Sequence, residues 1–277
     1  MSRLSRETVR RTSGRMPADL FDLNLRAMRR DRAFRAGSDL FLCERAFEDC
    51  LERIGLVNRR FQSALLIGCP DAGWPLRLNE HAAKVEVIEP GAEFAHAAGG
   101  EKVVEDRWPG SPGHDLCVAV GTLDTVNNLP QVLFAIRQSL TSDALFIGAM
   151  AGGETLPELR NAMRAADRVT GTAVAHVHPR IEPSALSSLL SAAGFANPVV
   201  DVDRVRASYE SLDRLVADLR AMGVTNVLRA RSRIPLLKAE CTAAALAFAA
   251  AGENGRTTET FEILHFACWT PSAQQEG

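Results

Sequence analysis

The stretch SALLIGCPDAGWPLR, Ser63–Arg77, decides the fold. Its apolar run ALLIG ends in Gly68, and a second glycine, Gly73, follows beyond the turn. A short apolar run bounded by glycine is typical of a buried strand, and the glycine lets the backbone turn sharply or approach a ligand closely. The stretch therefore predicts a strand and turn of the kind that binds nucleotides in open α/β sheets.

The chain beyond this turn alternates between strand-like and helix-like patterns. Four further apolar runs follow, KVEVIEP, EKVVED, DLCVAVG and ALFIGAMAGG, with helix-length segments such as QVLFAIRQSL between them. This alternation predicts βαβ units and a mainly parallel sheet. Two late strand-like segments, NPVVDVDRVRASY and ETFEILHFACW, flank two helical ones, and we expect the last strand to pair antiparallel.

These patterns predict the α/β class: a Rossmann-like class I methyltransferase fold with a mainly parallel seven-stranded sheet, N-terminal helices and a helical insert before the last strand. The predicted divisions are a disordered basic tail over 1–16, N-terminal helices over 17–60 and a Rossmann-like domain over 61–277, with the insert at about 211–250.

Helix-capping signals mark several of the predicted helices. Asn127 or Asn128 is placed to cap QVLFAIRQSL, and Ser211 to cap SLDRLVADLRAMG. In ETLPELRNAMRAADR, Thr155 and Glu158 have the spacing of a capping box. The segment DLFDLNLRAMRRDRAFRA predicts a basic amphipathic helix with Leu20, Leu23, Met28 and Phe34 on its apolar face. Its arginines are interpreted as a solvated face, with contact to an acidic partner as the alternative.

The composition is that of a globular protein and excludes several functional classes. The 277 residues are 46% hydrophobic and 24% charged, with a formal net charge of -2. A near-neutral charge gives no electrostatic case for nucleic-acid binding. No apolar run approaches the roughly 20 residues that span a bilayer. Six scattered cysteines without a C-x-x-C pair indicate a reducing compartment and no structural zinc.

The expected location is the bacterial cytoplasm, and the mitochondrial matrix is the alternative. The opening MSRLSRETVRRTSGR is rich in Arg and Ser and lacks an apolar face. Its composition also suits a transit peptide, and Met16 is a plausible alternative start.

Three residues at predicted strand ends indicate a nucleoside site. Gly68 follows the first strand, Glu89 ends the second 21 positions later, and Asp106 ends the third. A carboxylate at the end of the second strand accepts hydrogen bonds from ribose hydroxyls, and Asp106 could hold an adenine amine. The full predicted set of cofactor-binding residues is Gly68, Cys69, Gly73, Glu89, Asp106 and Val120.

The turn itself discriminates between cofactors. A dinucleotide needs backbone donors beneath its pyrophosphate. Pro70 removes such a donor and Asp71 repels phosphate, so NAD or FAD is disfavoured. S-adenosylmethionine has no phosphate and carries a cationic sulfonium, which is compatible with a nearby acid. S-adenosylmethionine is therefore the predicted cofactor.

Two acids are candidates for substrate binding, and no metal cluster is predicted. Asp124 follows the fourth strand as a possible general base or arginine ligand, and Glu154 follows the fifth, where it could pair with an arginine substrate. Each is equally compatible with a surface or helix-start acid. His176 and His178 with Glu182 could in principle hold non-haem iron, but loop histidines are commonplace.

The chain resembles the type 11 S-adenosylmethionine methyltransferase superfamily, and within it the branch of methyltransferase-like assembly factors of respiratory complex I. The likeness runs from about Pro17 to about Pro271. The branch-specific segments are GAMAGGETLPELR and DLRAMGVTN. The segments that carry the wider likeness are ADLFDLNLRAMRRDRAFRA, LVNRRFQSALLIGCP, DTVNNLPQVLFAIRQSL, LFIGAMAGGETLPELRNAM, LSSLLSAAGFANPVVDVD and LVADLRAMGVTN.

The resemblance implies action on a protein substrate, a complex I subunit, by methylation or by arginine hydroxylation. Two departures from the branch pattern support an alternative. The usual Asp-Leu-Gly-Cys-Gly-x-Gly loop is Leu66–Gly73 here, with Pro70 in it, and the usual His-Trp after the fourth strand is Asp124-Thr125. The first hypothesis is therefore an S-adenosylmethionine-dependent enzyme. The alternative is a non-catalytic assembly factor with a degenerate cofactor loop.

Overall fold

The computed structural model describes residues 19–272 and centres them on one seven-stranded sheet. Its strands are β1 Phe61–Ile67, β2 Ala82–Glu89, β3 Glu101–Lys102, β4 His114–Val120, β5 Leu140–Ala151, β6 Ala196–Tyr209 and β7 Thr257–Trp269. Their order across the sheet is β3-β2-β1-β4-β5-β7-β6. The predicted disordered tail, 1–16, lies outside the described residues.

The strand directions confirm the predicted fold class. β1 pairs in parallel with β2 and β4, β2 with β3, and β4 with β5. The late strand β7 is antiparallel to both β5 and β6. The parallel strands therefore bring their carboxyl ends to one edge of the sheet, where open α/β sheets bind ligands.

Nine α-helices of the described chain surround this sheet. They are α1 Leu23–Ala36, α2 Phe41–Gly55, α3 Trp74–Leu78, α4 Ala92–Ala97, α5 Leu129–Ser139, α6 Pro157–Thr170, α7 Pro183–Ala192, α8 Leu212–Ala221 and α9 Lys238–Ala250. Of these, α8 and α9 lie between β6 and β7, where the helical insert was predicted.

Apolar side chains fill both faces of the sheet. On one face Phe47 of α2 stacks on Trp74 of α3, with ring centroids 4.1 Å apart. On the other face α5 and α7 pack against Phe146 of β5 and Phe266 of β7. A third cluster joins α6, α8 and α9 around Phe261. The insert is therefore packed onto the end of the sheet that carries the candidate site.

The third strand is shorter than the sequence predicts. It ends at Lys102 rather than at Asp106, and Glu105–Arg107 form a 3₁₀ turn. The chain leaves the sheet because Glu105 turns inward to pair with Arg26. The prediction that Asp106 ends a strand is therefore wrong, although the residue still lies beside the carboxyl edge of the sheet.

The buried face of α1 also differs from the predicted one. Met28 is 60% exposed and Phe34 is 38% exposed, whereas Arg26 and Arg30 are buried together with Ala33. The expectation that the arginines form a solvated face is wrong for these two residues. Buried carboxylates on neighbouring segments explain the reversal, since they supply partners for both guanidinium groups.

No helix within residues 19–272 combines the length and the apolar composition that crossing a membrane requires.

Candidate functional site: a crevice and a cavity at the carboxyl edge of the sheet

Gly68 forms the turn after β1. Its φ of 80° lies in the left-handed region that favours glycine. A Cβ here would lie 2.5 Å from the Val120 carbonyl oxygen and 2.7 Å from Thr122 Cγ2. The glycine is therefore required by close packing of the β1 turn on the β4 turn, independently of any ligand.

Glu89 ends β2 as predicted, and its side chain points into the fold with no exposed surface. Its Oε2 accepts a hydrogen bond from the backbone N–H of Cys69 at 2.8 Å, and its Oε1 accepts one from Gly91 at 2.8 Å. This carboxylate thus ties the β1 turn to the turn after β2.

Arg30 of α1 occupies the remaining hydrogen-bonding positions of Glu89. Its Nε lies 2.5 Å from Oε1 and its Nη2 lies 2.8 Å from Oε2, a bidentate pair. Burial disfavours the charged guanidinium, but the attraction and hydrogen bonds of Glu89 outweigh it and raise the pKa of Arg30. Arginine therefore stands where ribose hydroxyls were expected.

The turns after β1, β2 and β4 enclose a crevice at the carboxyl edge of the sheet, and a second arginine of α1 closes the neighbouring part of it. Arg26 pairs with the buried carboxylate of Glu105 and donates to the Thr122 carbonyl at 3.3 Å and to Thr125 Oγ1 at 3.2 Å. Burial raises the pKa of Glu105, opposed by the charge of Arg26. Arg26 and Arg30 lie one helical turn apart, so a single helix face fills the crevice.

The cofactor loop is bonded to itself through Asp71. The backbone N–H of Gly73 donates to Asp71 Oδ1 at 2.6 Å, and Cys69 Sγ lies 3.1 Å from the Asp71 carbonyl. Burial raises the pKa of the Cys69 thiol, so it stays protonated at neutral pH. The loop residues predicted to bind a cofactor thus have internal partners.

Asp106 keeps one oxygen available. Its Oδ1 accepts the backbone N–H of Asn128 at 2.6 Å, while Oδ2 is buried and accepts no hydrogen bond from the described residues. A buried acceptor without a donor suits an amino group such as that of adenine. Asp106 therefore fits a nucleoside, whereas Glu89 does not. With α1 in this position the crevice does not fit S-adenosylmethionine.

A cavity of about 100 Å³ lies beside the crevice, between α2, the ends of β4 and β5, and the helical insert. Most of its wall is apolar, including Leu42, Met150, Leu156, Met222 and Phe261. By volume it can hold a small apolar group.

The polar wall of this cavity is the Asp124–Arg180 ion pair. Both side chains are at least nine-tenths buried. The Asp124 carboxylate already binds the guanidinium of Arg180, and Arg180 Nε is buried and finds no acceptor among residues 19–272. An arginine substrate would have to displace Arg180 to reach Asp124.

Glu154 lies on the surface and does not contribute to the lining of this cavity. Besides Asp124, the acid that lines it is Glu262 of β7, which is buried and pairs with Arg204 at 3.0 Å. Glu262 Oε1 accepts the backbone N–H of Glu154 at 3.4 Å. Glu154 is thus a neighbour of the cavity wall with its own carboxylate facing outward.

Comparison with known proteins identifies the family. No protein-family model matches the chain. The mitochondrial arginine hydroxylase NDUFAF5 of Rattus norvegicus is 30% identical over 271 aligned residues, which cover 91% of this chain and 77% of that protein. The chain belongs to the NDUFAF5 arginine-hydroxylase family. The Danio rerio member is 29% identical over 291 residues, covering 97% of this chain and 88% of its own.

Among solved structures, the N-methyltransferase NodS of Bradyrhizobium japonicum WM9 has a similar fold. Its TM-score is 0.50 at 13% sequence identity, and the match covers 91% of this chain and 100% of NodS. At this identity the likeness shows the fold alone. It agrees with the strand order of the sheet, so this NDUFAF5-family chain has a Rossmann-like methyltransferase fold.

The histidines of the loop before α7 have partners in this family member. His176 Nε2 lies 2.8 Å from Asp167 Oδ1, and His178 Nε2 accepts the backbone N–H of Val227 at 2.9 Å. Burial and then the charge of Arg180 lower the pKa of His178 to about 3, which keeps it neutral. Within residues 19–272, no cluster of three or more His, Cys, Asp or Glu side chains is arranged to bind a metal.

Among the residues that sequence reasoning missed are the three arginines Arg26, Arg30 and Arg180. The first two are four positions apart and share a face with Ala33, a spacing that was compatible with burial. No local signal marks Arg180, since its partner Asp124 lies 56 positions away.

Proposed function

We propose that this protein is an S-adenosylmethionine-dependent enzyme that modifies a protein substrate during assembly of respiratory complex I. Its likeness to the arginine hydroxylases over 91–97% of the chain carries the proposal. The NodS structure with the same fold contains S-adenosyl-L-homocysteine, which supports the cofactor. Methylation and arginine hydroxylation are both compatible with the relatives.

The proposed cofactor residues are those at the carboxyl edge of the sheet: Gly68, Cys69, Gly73, Glu89, Asp106 and Val120. The free Oδ2 of Asp106 supports this placement. The pairing of Glu89 with Arg30 opposes it, because a carboxylate with four donors has no room for ribose. Cofactor binding therefore requires a rearrangement of α1.

The substrate is proposed to place an apolar group in the cavity. Asp124 cannot serve as the arginine ligand while Arg180 holds it. Glu154 is an exposed acid beside this cavity, and a cationic group of a protein substrate could pair with it. The compartment is proposed to be the bacterial cytoplasm, with the mitochondrial matrix as the alternative.

A second candidate is a non-catalytic assembly factor that uses the same surface to bind its partner. The buried Arg30–Glu89 pair favours it, because the acid that a cofactor would need is already neutralised. Pro70 in the cofactor loop also favours this candidate, because proline has no backbone N–H to donate to a ligand.

Mass spectrometry of complex I subunits discriminates between the two. Cells with the gene, without it, and with Glu89→Ala or Glu154→Gln would be compared. If the protein is an enzyme, one subunit carries an added methyl group or oxygen atom in cells with the wild-type gene. That added mass is absent in cells without the gene and in cells with Glu89→Ala. An assembly factor without activity changes the amount of complex I, while every subunit keeps its mass.

A further inference from the structure

The α1 helix is fastened across the crevice at both ends. Before its start, Phe21 accepts and donates hydrogen bonds with the Asn127 side chain, and the N–H of Asp22 donates to the Val227 carbonyl at 2.8 Å. Towards its end, Asp31 Oδ1 accepts the backbone N–H of Glu93 at 3.0 Å. The helix therefore bridges from the insert to α4.

The middle of α1 carries the contacts that close the crevice. Arg30 is bidentate on Glu89, and both side chains are at least 94% buried. A Cβ on Gly223, the residue that follows α8 and Met222, would lie 3.3 Å from Arg30 Cα, so the insert packs tightly behind the helix. Arg30 is thus held between the sheet and the insert.

We propose that α1 is an intramolecular occupant of the nucleoside crevice, in which Arg30 takes the place of the ribose hydroxyls on Glu89 and must leave before a nucleoside can bind. This inference rests on the proposed function. One carboxylate has two oxygens, and here both are saturated by two backbone N–H groups and one guanidinium. Arg30 and a ribose therefore cannot bind the Glu89 carboxylate at the same time.

Such a competition lowers the apparent affinity by the fraction of molecules in which α1 is released. Replacing Arg30 by a residue without its charge and its paired N–H donors should therefore raise the affinity of the protein for a nucleoside. Arg32 lies on the same helix and is exposed, so Arg32→Gln removes one charge without touching Glu89. It is the matched control.

The test is calorimetric titration of the full chain with S-adenosylhomocysteine. We expect Arg30→Gln to bind about tenfold or more tightly than wild type, with Arg32→Gln within about twofold of wild type. Wild-type binding as tight as that of Arg30→Gln overturns the inference and leaves the proposed cofactor intact. Absence of binding in both wild type and a folded Arg30→Gln overturns the inference together with the proposed cofactor.

Hydrogen–deuterium exchange on the wild-type chain gives a readout that does not depend on the variant folding. At saturating S-adenosylhomocysteine the amides of α1 should exchange faster, because the helix leaves the crevice. The amides of the loop 68–73 should exchange more slowly. Protection of the loop with unchanged exchange in α1 contradicts the proposal.

Discussion

Asp124 and Arg180 come together from segments 56 positions apart and form the polar wall of the cavity. Neither is near the surface, so each depends on the other for compensation of its charge. The same holds for Glu89 with Arg30 and for Glu105 with Arg26. At the scale of single residues, Glu89, Glu105 and Asp124 are each already neutralised by one of the chain's own arginines.

Asp124→Asn should therefore lower the free energy of unfolding by about 3–5 kcal/mol, because it leaves the Arg180 charge buried and unpaired. Urea unfolding measures the change. Asp124→Asn combined with Arg180→Met should cost less than the sum of the two single changes, since the double variant leaves no uncompensated charge.

The control for this prediction is Asp19→Asn, which removes the exposed partner of Arg229. Exposed ion pairs contribute up to about 1 kcal/mol, so the loss should be small. Equal losses for Asp124→Asn and Asp19→Asn would show that burial does not set the strength of the cavity pair.

At the scale of elements, α6 shows how a distant strand can replace a local cap. The predicted capping box of Thr155 and Glu158 is wrong: Leu156 precedes the helix and gives no side-chain cap. Thr155 Oγ1 instead donates to the Glu262 carbonyl at 3.0 Å. The first N–H groups of the helix, of Glu158 and Leu159, donate to the buried carboxylate of Glu259 on β7.

Glu259→Ala should cost about 2–3 kcal/mol, since the buried N–H of Leu159 and the half-buried N–H groups of Glu158 and Thr260 lose their acceptor. The measurement is the free energy of unfolding in urea. Ser211→Ala is the comparison, because Ser211 caps α8 locally as predicted and such caps contribute about 1 kcal/mol. A smaller loss for Glu259→Ala than for Ser211→Ala would contradict this account of α6.

At the scale of the whole molecule, His178 joins parts of the chain that are far apart. Its ring packs edge-on against Phe21, with centroids 5.3 Å apart, and it accepts the N–H of Val227 in the insert. Arg180, Asp124, Arg29 and Arg160 are the charged groups that act on it. A positive charge on this ring would therefore loosen the contact between the N-terminal segment, the sheet edge and the insert.

The pKa of His178 is lowered to about 3 in the fold, against about 6.5 for an unperturbed histidine. Between these values the unfolded chain binds a proton that the folded chain does not. Stability from this residue is complete above pH 6.5 and falls as the pH drops towards 3, by at most about 1.4 kcal/mol per pH unit.

Urea unfolding between pH 7 and pH 5 checks this slope. His178→Gln keeps an acceptor for Val227 and cannot titrate, so its stability should depend less steeply on pH than that of the wild type. Parallel pH profiles for the two proteins would show that His178 does not carry the effect.

Much of the fold could be predicted from local patterns. The buried strand before Gly68, the strand–helix alternation and the Asn128 and Ser211 caps all express short-range physics: side-chain periodicity, glycine conformation and hydrogen bonds to the nearest backbone. The position of Glu89 at the end of β2 follows from the same pattern. The sequence by itself thus determined the layers, the sheet and the edge at which a site would form.

Only the tertiary structure decided what that site holds. Arg26 and Arg30 belong to a helix whose sequence predicts a solvent-facing arginine face. They are buried because each pairs with a buried carboxylate far along the chain. Arg26 pairs with Glu105, 79 positions away, and Arg30 pairs with Glu89, 59 positions away. Such pairings leave no periodic trace, since they depend on which buried charge meets which partner once the chain has folded. The closed crevice is a property of packing, and a pattern along the chain could not have shown it.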